Sequence, residues 1–270
     1  MTLPRELVEA VRTRSAVLFA GAGLSNNLDL PTWNQLMAEM ALKLGYDPEV
    51  FAQYGGNLDL AEYYVLVEKT LGELRGQMDR KWHSDESKVD GSPHHQLILE
   101  LNFPIIYTTN YDRFLEIAYQ RKGLPFTKVA SIRDFSKIKE GHTQIVKFHG
   151  DFDDDKSIVL TESDYFERLA FESPLDIKLR SDSLGRPFLF IGYGIADVNI
   201  RYLLYKLHKI WSSSPFADAR PHSYILLSKP NPIQEEILRH RGIHPIVAAE
   251  DHPGKGLLRF LEELRDAVRG

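Results

Sequence analysis

Short apolar runs that stop at glycine or polar turns alternate along this chain with stretches whose apolar residues recur every three or four positions. Runs at 17–20, 103–107, 144–148, 187–191, 223–227 and 244–248 predict strands. The run at 187–191 is apolar at every position after Pro187, as a strand buried on both faces requires. Helical spacing marks 4–14 through Leu7, Val8 and Val11, and 33–44 through Leu36, Met37, Met40 and Leu44. It returns at 113–122, after Gly194 through Ile200, Leu203, Leu204 and Leu207, at 231–241 and at 255–268. Thr32 reads as an N-cap, Ser92-Pro93 as a cap followed by proline, and Thr161 to Asp164 as a capping box.

Two helical stretches interrupt the strand pattern. Residues 45–81 read as helix broken near Gly55-Gly56, with Leu60, Tyr64, Val67 and Leu71 on one face, and the polar segment 79–91 reads as a mobile connection. Residues 157–160 form a short extended piece, and mostly helix follows to about 185. Strand and helix then alternate to the end, as a parallel α/β sheet demands. The expectation is one domain over 1–270, with helical insertions at about 45–92 and 161–185.

Composition narrows the chemistry. With 270 residues, 43% of them hydrophobic, the chain can bury a full core. A net charge of −5 without a long Lys/Arg cluster argues against direct nucleic-acid binding and against a membrane-surface patch. The absence of cysteine excludes disulfides, thiol catalysis and a cysteine zinc site, and it fits a reducing interior. No signal-peptide core and no membrane-length run is present, so a soluble, cytoplasmic protein is expected. Adjacent His94 and His95 point in different directions on a helix, and the acidic turn 151–155 lacks calcium-loop spacing; no metal is expected.

The unusual residues stand directly after strands: Gly21-Ala22-Gly23, Thr109-Asn110-Tyr111-Asp112, His149-Gly150-Asp151 and Gly192-Tyr193-Gly194. A parallel sheet gathers its strand C-termini along one edge, where open α/β folds bind ligands. Glycines allow a sharp turn close to a ligand, and a helix N-terminus beyond them would offer free N–H groups to an anion. Each motif alone has an ordinary reading: Asn110 as a helix cap, His149 as a satisfied strand-end group, Tyr193 as packing. Four at equivalent positions favour a shared crevice.

In this order, and with Pro31 and Trp33 after the first turn, these motifs resemble the sirtuin family of NAD-consuming enzymes over about residues 17–228. Thr-Thr-Asn-Tyr-Asp, His-Gly-Asp and Gly-Tyr-Gly-x-x-Asp-x-Asn-Ile are most similar to its prokaryotic sirtuin-like branch, found in anti-phage defence. The resemblance implies a Rossmann-like parallel sheet with helices on both faces, a helical insertion and no zinc module. It implies NAD as substrate and no metal. Gly21, Ala22 and Gly23 would form the pyrophosphate turn with Ser25 and Asn26 nearby, and Trp33 would belong to a cofactor loop. Asn110 and His149 match the catalytic pair, and Asp112 a carboxylate near the nicotinamide pocket. Gly192, Tyr193 and Gly194 would lie by the phosphates or ribose, and Ser228 by the adenosine ribose.

Departures from the deacylases point away from peptide chemistry. Thr32-Trp33-Asn34 stands where they commonly have Asp-Phe-Arg, Thr109 replaces a Gln, and the four-cysteine zinc module is missing. The implied reaction is hydrolysis of NAD to ADP-ribose and nicotinamide. Asn110 would position the ribose or the attacking water, and His149, titrating near neutral pH, would act as general base. An NAD-dependent protein deacylase and a non-catalytic sensor of NAD or ADP-ribose are the alternatives. As a defence effector the chain is expected to act as a homo-oligomer or with a protein partner, such as a translocase-type ATPase or an Argonaute-like protein. The helices at 45–81 would provide the contact surface or merely roof the site.

Overall fold

The computed structural model describes residues 2–170, 172–193, 198–248 and 250–270. Its elements begin α1 (Arg5–Arg12), β1 (Val17–Ala20), α2 (Trp33–Lys43), α3 (Pro48–Phe51), α4 (Asn57–Glu68), α5 (Gly72–Trp82) and α6 (Pro93–Leu101). They continue β2 (Ile105–Thr108), α7 (Phe114–Arg121), β3 (Phe126–Val129), β4 (Thr143–Lys147), α8 (Glu162–Leu169) and α9 (Pro174–Gly185). The last are β5 (Phe188–Ile191), α10 (Val198–Ser212), β6 (Ser223–Leu227), α11 (Pro232–His240), β7 (Ile243–Val247) and α12 (Pro253–Arg269).

The described strands form one parallel seven-stranded sheet in the order β3-β4-β2-β1-β5-β6-β7. Because side chains alternate along a strand, each apolar run feeds two cores. Leu18, Ala20, Ile106, Ile145, Leu189 and Ile191 face a layer built from α1, α6, α7 and α12. Val17, Phe19, Tyr107, Val146, Phe188 and Phe190 face α9, α10 and α11. Fully burying one such aliphatic or aromatic side chain contributes about 1.5–3 kcal/mol, so these runs commit the strands to the middle of the sheet. The fold is thus a Rossmann-like α/β sheet with helices on both faces.

A third apolar cluster joins α2, α4 and α5 to Tyr111, Phe152, Ile158 and Leu160, on the loops beyond β2 and β4. The inserted helices therefore lean on the strand ends. Thr32 caps α2 through a reciprocal box with Gln35, as its position predicts. Within α4, Leu60, Ala61 and Tyr64 are buried but Val67 is 47% exposed, because the seam turns from Val67 toward Ala61.

The structure departs from the sequence pattern in three further places. The apolar pattern does not mark strand β3, which is short, sits on the sheet edge and buries only every second residue. The polar segment 79–91 is mostly helical, since α5 runs to Trp82 and a 3-10 turn spans Glu86–Gly91. Arg121 and Lys88 tie it down through Asp90 and Asp29. Ile158 to Leu160 pass over the strand ends without joining the sheet.

Candidate active site at the strand ends

The chain builds the sheet outward from β1 on one side through β2, then crosses over to place β5 on the other. That reversal is the switch point at which open α/β sheets leave a crevice. It is occupied by the two glycine turns, packed on each other. Gly21 N donates to Ile191 O and Gly23 N to Gly192 O, both at 2.9 Å. A Cβ on Gly21 would lie 2.7 Å from Gly192 O, and one on Gly23 2.7 Å from Gly192 Cα. Gly192 itself has φ +70° and faces Gly21 O, so a side chain there is strained twice over.

No long helix springs from the first turn. Two 3-10 turns, Ala22–Leu24 and Asn26–Leu28, follow it. Asp29 then turns left-handed at φ 58°, and α2 starts only beyond Pro31. Ser25 is buried, Asn26 is exposed and Trp33 is 36% exposed at the head of α2. Tyr193 knits three strand ends together: its hydroxyl donates to Ala20 O at 3.1 Å and lies 3.0 Å from Thr109 Oγ1. Gly194 lies outside the described residues.

The loop after β2 is held by polar contacts. Asn110 N donates to Thr108 Oγ1 at 3.0 Å, and its side-chain Nδ2 donates to Gly21 O at 3.2 Å and Ser25 Oγ at 3.4 Å. The sequence-predicted Asn110, Gly21 and Ser25 are thereby brought together. Buried Asp112 uses Oδ1 to accept from Phe114 N at 3.1 Å, which opens α7 with a side-chain turn. Arg113 then locks to the insertion: its N–H donates to His83 Nε2 at 2.9 Å and its guanidinium to Asp79 at 2.6 Å. Asp79 also holds His83 Nδ1 at 2.9 Å, fixing the ring as a donor there and an acceptor toward Arg113.

The loop after β4 is shaped by packing. Gly150 has φ +94°, and a Cβ on it would fall 2.1 Å from Ser157 O, so the chain can double back only at glycine. The turn leaves the His149 ring buried, stacked against Phe148 at 5.9 Å and edge-on to Tyr165 at 5.5 Å. His149 Nε2 has no hydrogen-bond partner among the described residues. Arg168 lies 4.1 Å above the Phe148 ring while pairing with Asp176 at 2.9 Å. Burial, reinforced by the Arg168 charge, pushes the His149 pKa down to about 3. This corrects the expectation of an imidazole titrating near neutrality: the side chain is neutral there, with a free lone pair or N–H inside the protein.

Along the edge, the neighbouring strand ends β4, β2, β1, β5 and β6 are followed by His149, Asn110, Gly21, Gly192 and Ser228, the last exposed. Sequence reasoning missed Arg168, Tyr165 and Lys147. The first two come from α8, far away in sequence with no local sign. Lys147 does carry a signal, a lysine inside an apolar strand run. No group of three or more His, Asp or Glu side chains suited to a metal occurs among the described residues.

A parallel α/β sheet with its polar motifs assembled at the switch point is the architecture of a nucleotide-type ligand site. The chain belongs to the SIR2-like domain family, whose model matches residues 104–246. It is 27% identical over 227 residues to the NAD(+) hydrolase ThsA of Bacillus cereus (strain MSX-D12), covering 83% of this chain and 45% of that protein. It is 27% identical over 254 residues to Defense-associated sirtuin 2 of Bacillus subtilis, covering 91% of this chain and 24% of that protein. The chain thus spans less than half the length of these relatives. A crystal structure of a Sir2 homologue–NAD complex overlays 99% of this chain and 96% of that one, at 12% identity and a TM-score of 0.46.

Proposed function

We propose that this chain is an NAD+ glycohydrolase that converts NAD+ and water to ADP-ribose, nicotinamide and a proton, and that it serves as an effector of prokaryotic anti-phage defence. The observation that carries the reading is the convergence of Asn110, His149 and the two glycine turns on the ends of four adjacent parallel strands. Relatives named NAD(+) hydrolase and defence-associated sirtuin support it. The residues also suit the substrate: His149 Nε2, without a hydrogen-bond partner among the described residues, offers one to a ribose hydroxyl or a water.

Nicotinamide leaves as a neutral amine from a cationic pyridinium, so the protein needs chiefly to stabilise an oxocarbenium-like ribose and admit water. Asn110, held by Gly21 and Ser25, orients the ribose or the water. Water bonding to an oxocarbenium carbon becomes strongly acidic, so even the weakly basic His149 can take its proton and pass it to solvent. Asp112 steadies this loop and Trp33 flanks the ligand; Tyr193, Ala22, Asn26 and Ser228 line the nucleotide's path, and Gly194 is assigned to it from the sequence motif alone. The absence of cysteine, and so of a cysteine zinc module, sets the reading against a protein deacylase. The chain acts in the cytoplasm as a single catalytic domain. Its outward insertion surface, with exposed Leu42, Tyr54 and Leu66, meets further copies or a protein partner.

Chromatography of nicotinamide and ADP-ribose after incubation with NAD+ tests the reading. His149→Ala and Asn110→Ala should each lower turnover by ~10²–10⁴-fold while remaining folded. Wild-type turnover in both folded variants would remove the assignment, and nicotinamide release only with an acetylated peptide would favour a deacylase.

A further inference from the structure

Lys147 ends β4 two residues before His149, and its side chain is fully buried. A buried ammonium is expected to be paired, and Glu116 Oε1 lies 3.4 Å away. The pair by itself would need no more explanation than mutual neutralisation. The closer contact, however, goes elsewhere: Lys147 Nζ donates to the main-chain oxygen of Asp112. On the same strand, Phe148 N donates to Thr108 O at 2.7 Å. The segment that carries Asn110 therefore leaves β4 at Thr108 and returns to it at Asp112, a hoop with both feet on Lys147-Phe148.

We propose that Lys147 is a positioning residue: its ammonium, by holding Asp112 O, closes this hoop and fixes where Asn110 stands relative to His149. The inference rests on the NAD-cleaving reading for its effect on rate, but not for the tether itself. Glu116 has the subordinate part of making the buried cation tolerable. Among the described residues neither of its carboxylate oxygens has a hydrogen-bond partner, so Glu116 meets Lys147 as a nearby charge and not through a directed bond; burial pushes its pKa up, and the Lys147 ammonium offsets part of that rise.

The two roles separate in the double variant Lys147→Met with Glu116→Leu, which removes both charges and fills the space with apolar atoms; such exchanges of a buried ion pair are often neutral for stability. The expected result is an unfolding midpoint near the wild type, KM for NAD+ within about threefold, and kcat lowered about 10²-fold, the size of effect that a misplacement of roughly 1 Å brings. Hydrogen exchange gives a readout that does not depend on catalysis. In the unaltered protein, the amides of Asn110, Arg113 and Phe114 should be protected as deeply as those of β4, and in the double variant they should exchange faster at unchanged global stability. A double variant with wild-type kcat and wild-type exchange would overturn the tether. So would shallow protection of these amides in the unaltered protein, which decides the matter should the double variant fail to fold. If the unaltered chain releases no nicotinamide, the proposed function falls, and exchange alone still judges Lys147.

Discussion

The loops after β2 and β4 leave neighbouring strands in the same direction, yet they hold their key side chains by opposite means. Asn110 sits in a polar frame in which its backbone and side-chain donors all have acceptors. His149 sits among Phe148 and Tyr165, with one ring nitrogen unmatched among the described residues. A satisfied network rigidifies a group, while an unsatisfied buried group is a cost that the rest of the fold must sustain. The contrast sets a loop whose polar group is held in place against one whose buried ring nitrogen, under the proposed function, a ligand would complete.

The heaviest blow to this contrast is Gly150→Ala. A strained left-handed backbone and a Cβ pressed on Ser157 O together should cost about 3–5 kcal/mol, read as a lower denaturation midpoint, and collapse the setting of His149. Next comes His149→Phe, which should abolish most NAD+ turnover, ~10²–10⁴-fold, but change stability at pH 7 by about 1 kcal/mol or less, since an aromatic ring fills an aromatic nest. The same variant sharpens the electrostatics. With its pKa about 3 in the folded state, His149 refuses a proton that the unfolded chain accepts near pH 6.5. Its contribution is therefore neutral above that pH and destabilising by about 1.4 kcal/mol per unit as pH falls from about 6.5 toward 3. Urea midpoints against pH should fall less steeply for His149→Phe than for the wild type across that window; parallel curves would show that His149 protonates freely. For the same reason, kcat/KM of the wild type should hold within about twofold from pH 5.5 to 8, without a step near pH 6.5.

Asn110→Ala should show the reverse balance. It strips Gly21 O and Ser25 Oγ of a donor and should cost about 1–3 kcal/mol of stability in addition to activity. Equal stability losses in Asn110→Ala and His149→Phe would erase the distinction between the loops. The mildest change is Tyr193→Phe. It removes the hydroxyl that reaches Ala20 O and Thr109 while keeping the ring on Phe19, so a loss of about 1 kcal/mol in thermal or chemical unfolding is expected.

Much of the sheet was legible because the signal is local. Val17 to Ala20 or Phe188 to Ile191 can scarcely be anything but buried strands, and Thr32, Thr161 and Asn231 cap helices with their own side chains. Strand β3 was not legible: half its residues face outward, and its place depends on pairing with β4. Segment 79–91 looked loose because its polar residues find their partners only across the fold, Asp79 and His83 in Arg113, Asp90 in Arg121. Among the motifs, residue type and order singled out Asn110, His149 and the glycine turns. Their surroundings were hidden.

The sequence by itself determined which residues could become strand ends, and hence that the polar motifs would share one edge, because period-two burial and parallel connectivity leave little alternative. Only the tertiary structure decided what that edge became. Gly21 and Gly23 are glycine because Gly192 arrives from a strand far along the chain, and Lys147 is tolerated because Glu116 and Asp112 O meet it inside. The basicity of His149 was set in the same way. A side chain's proton affinity belongs to its solvent and its neighbours, and Tyr165 and Arg168 become neighbours only when α8 folds over the end of β4.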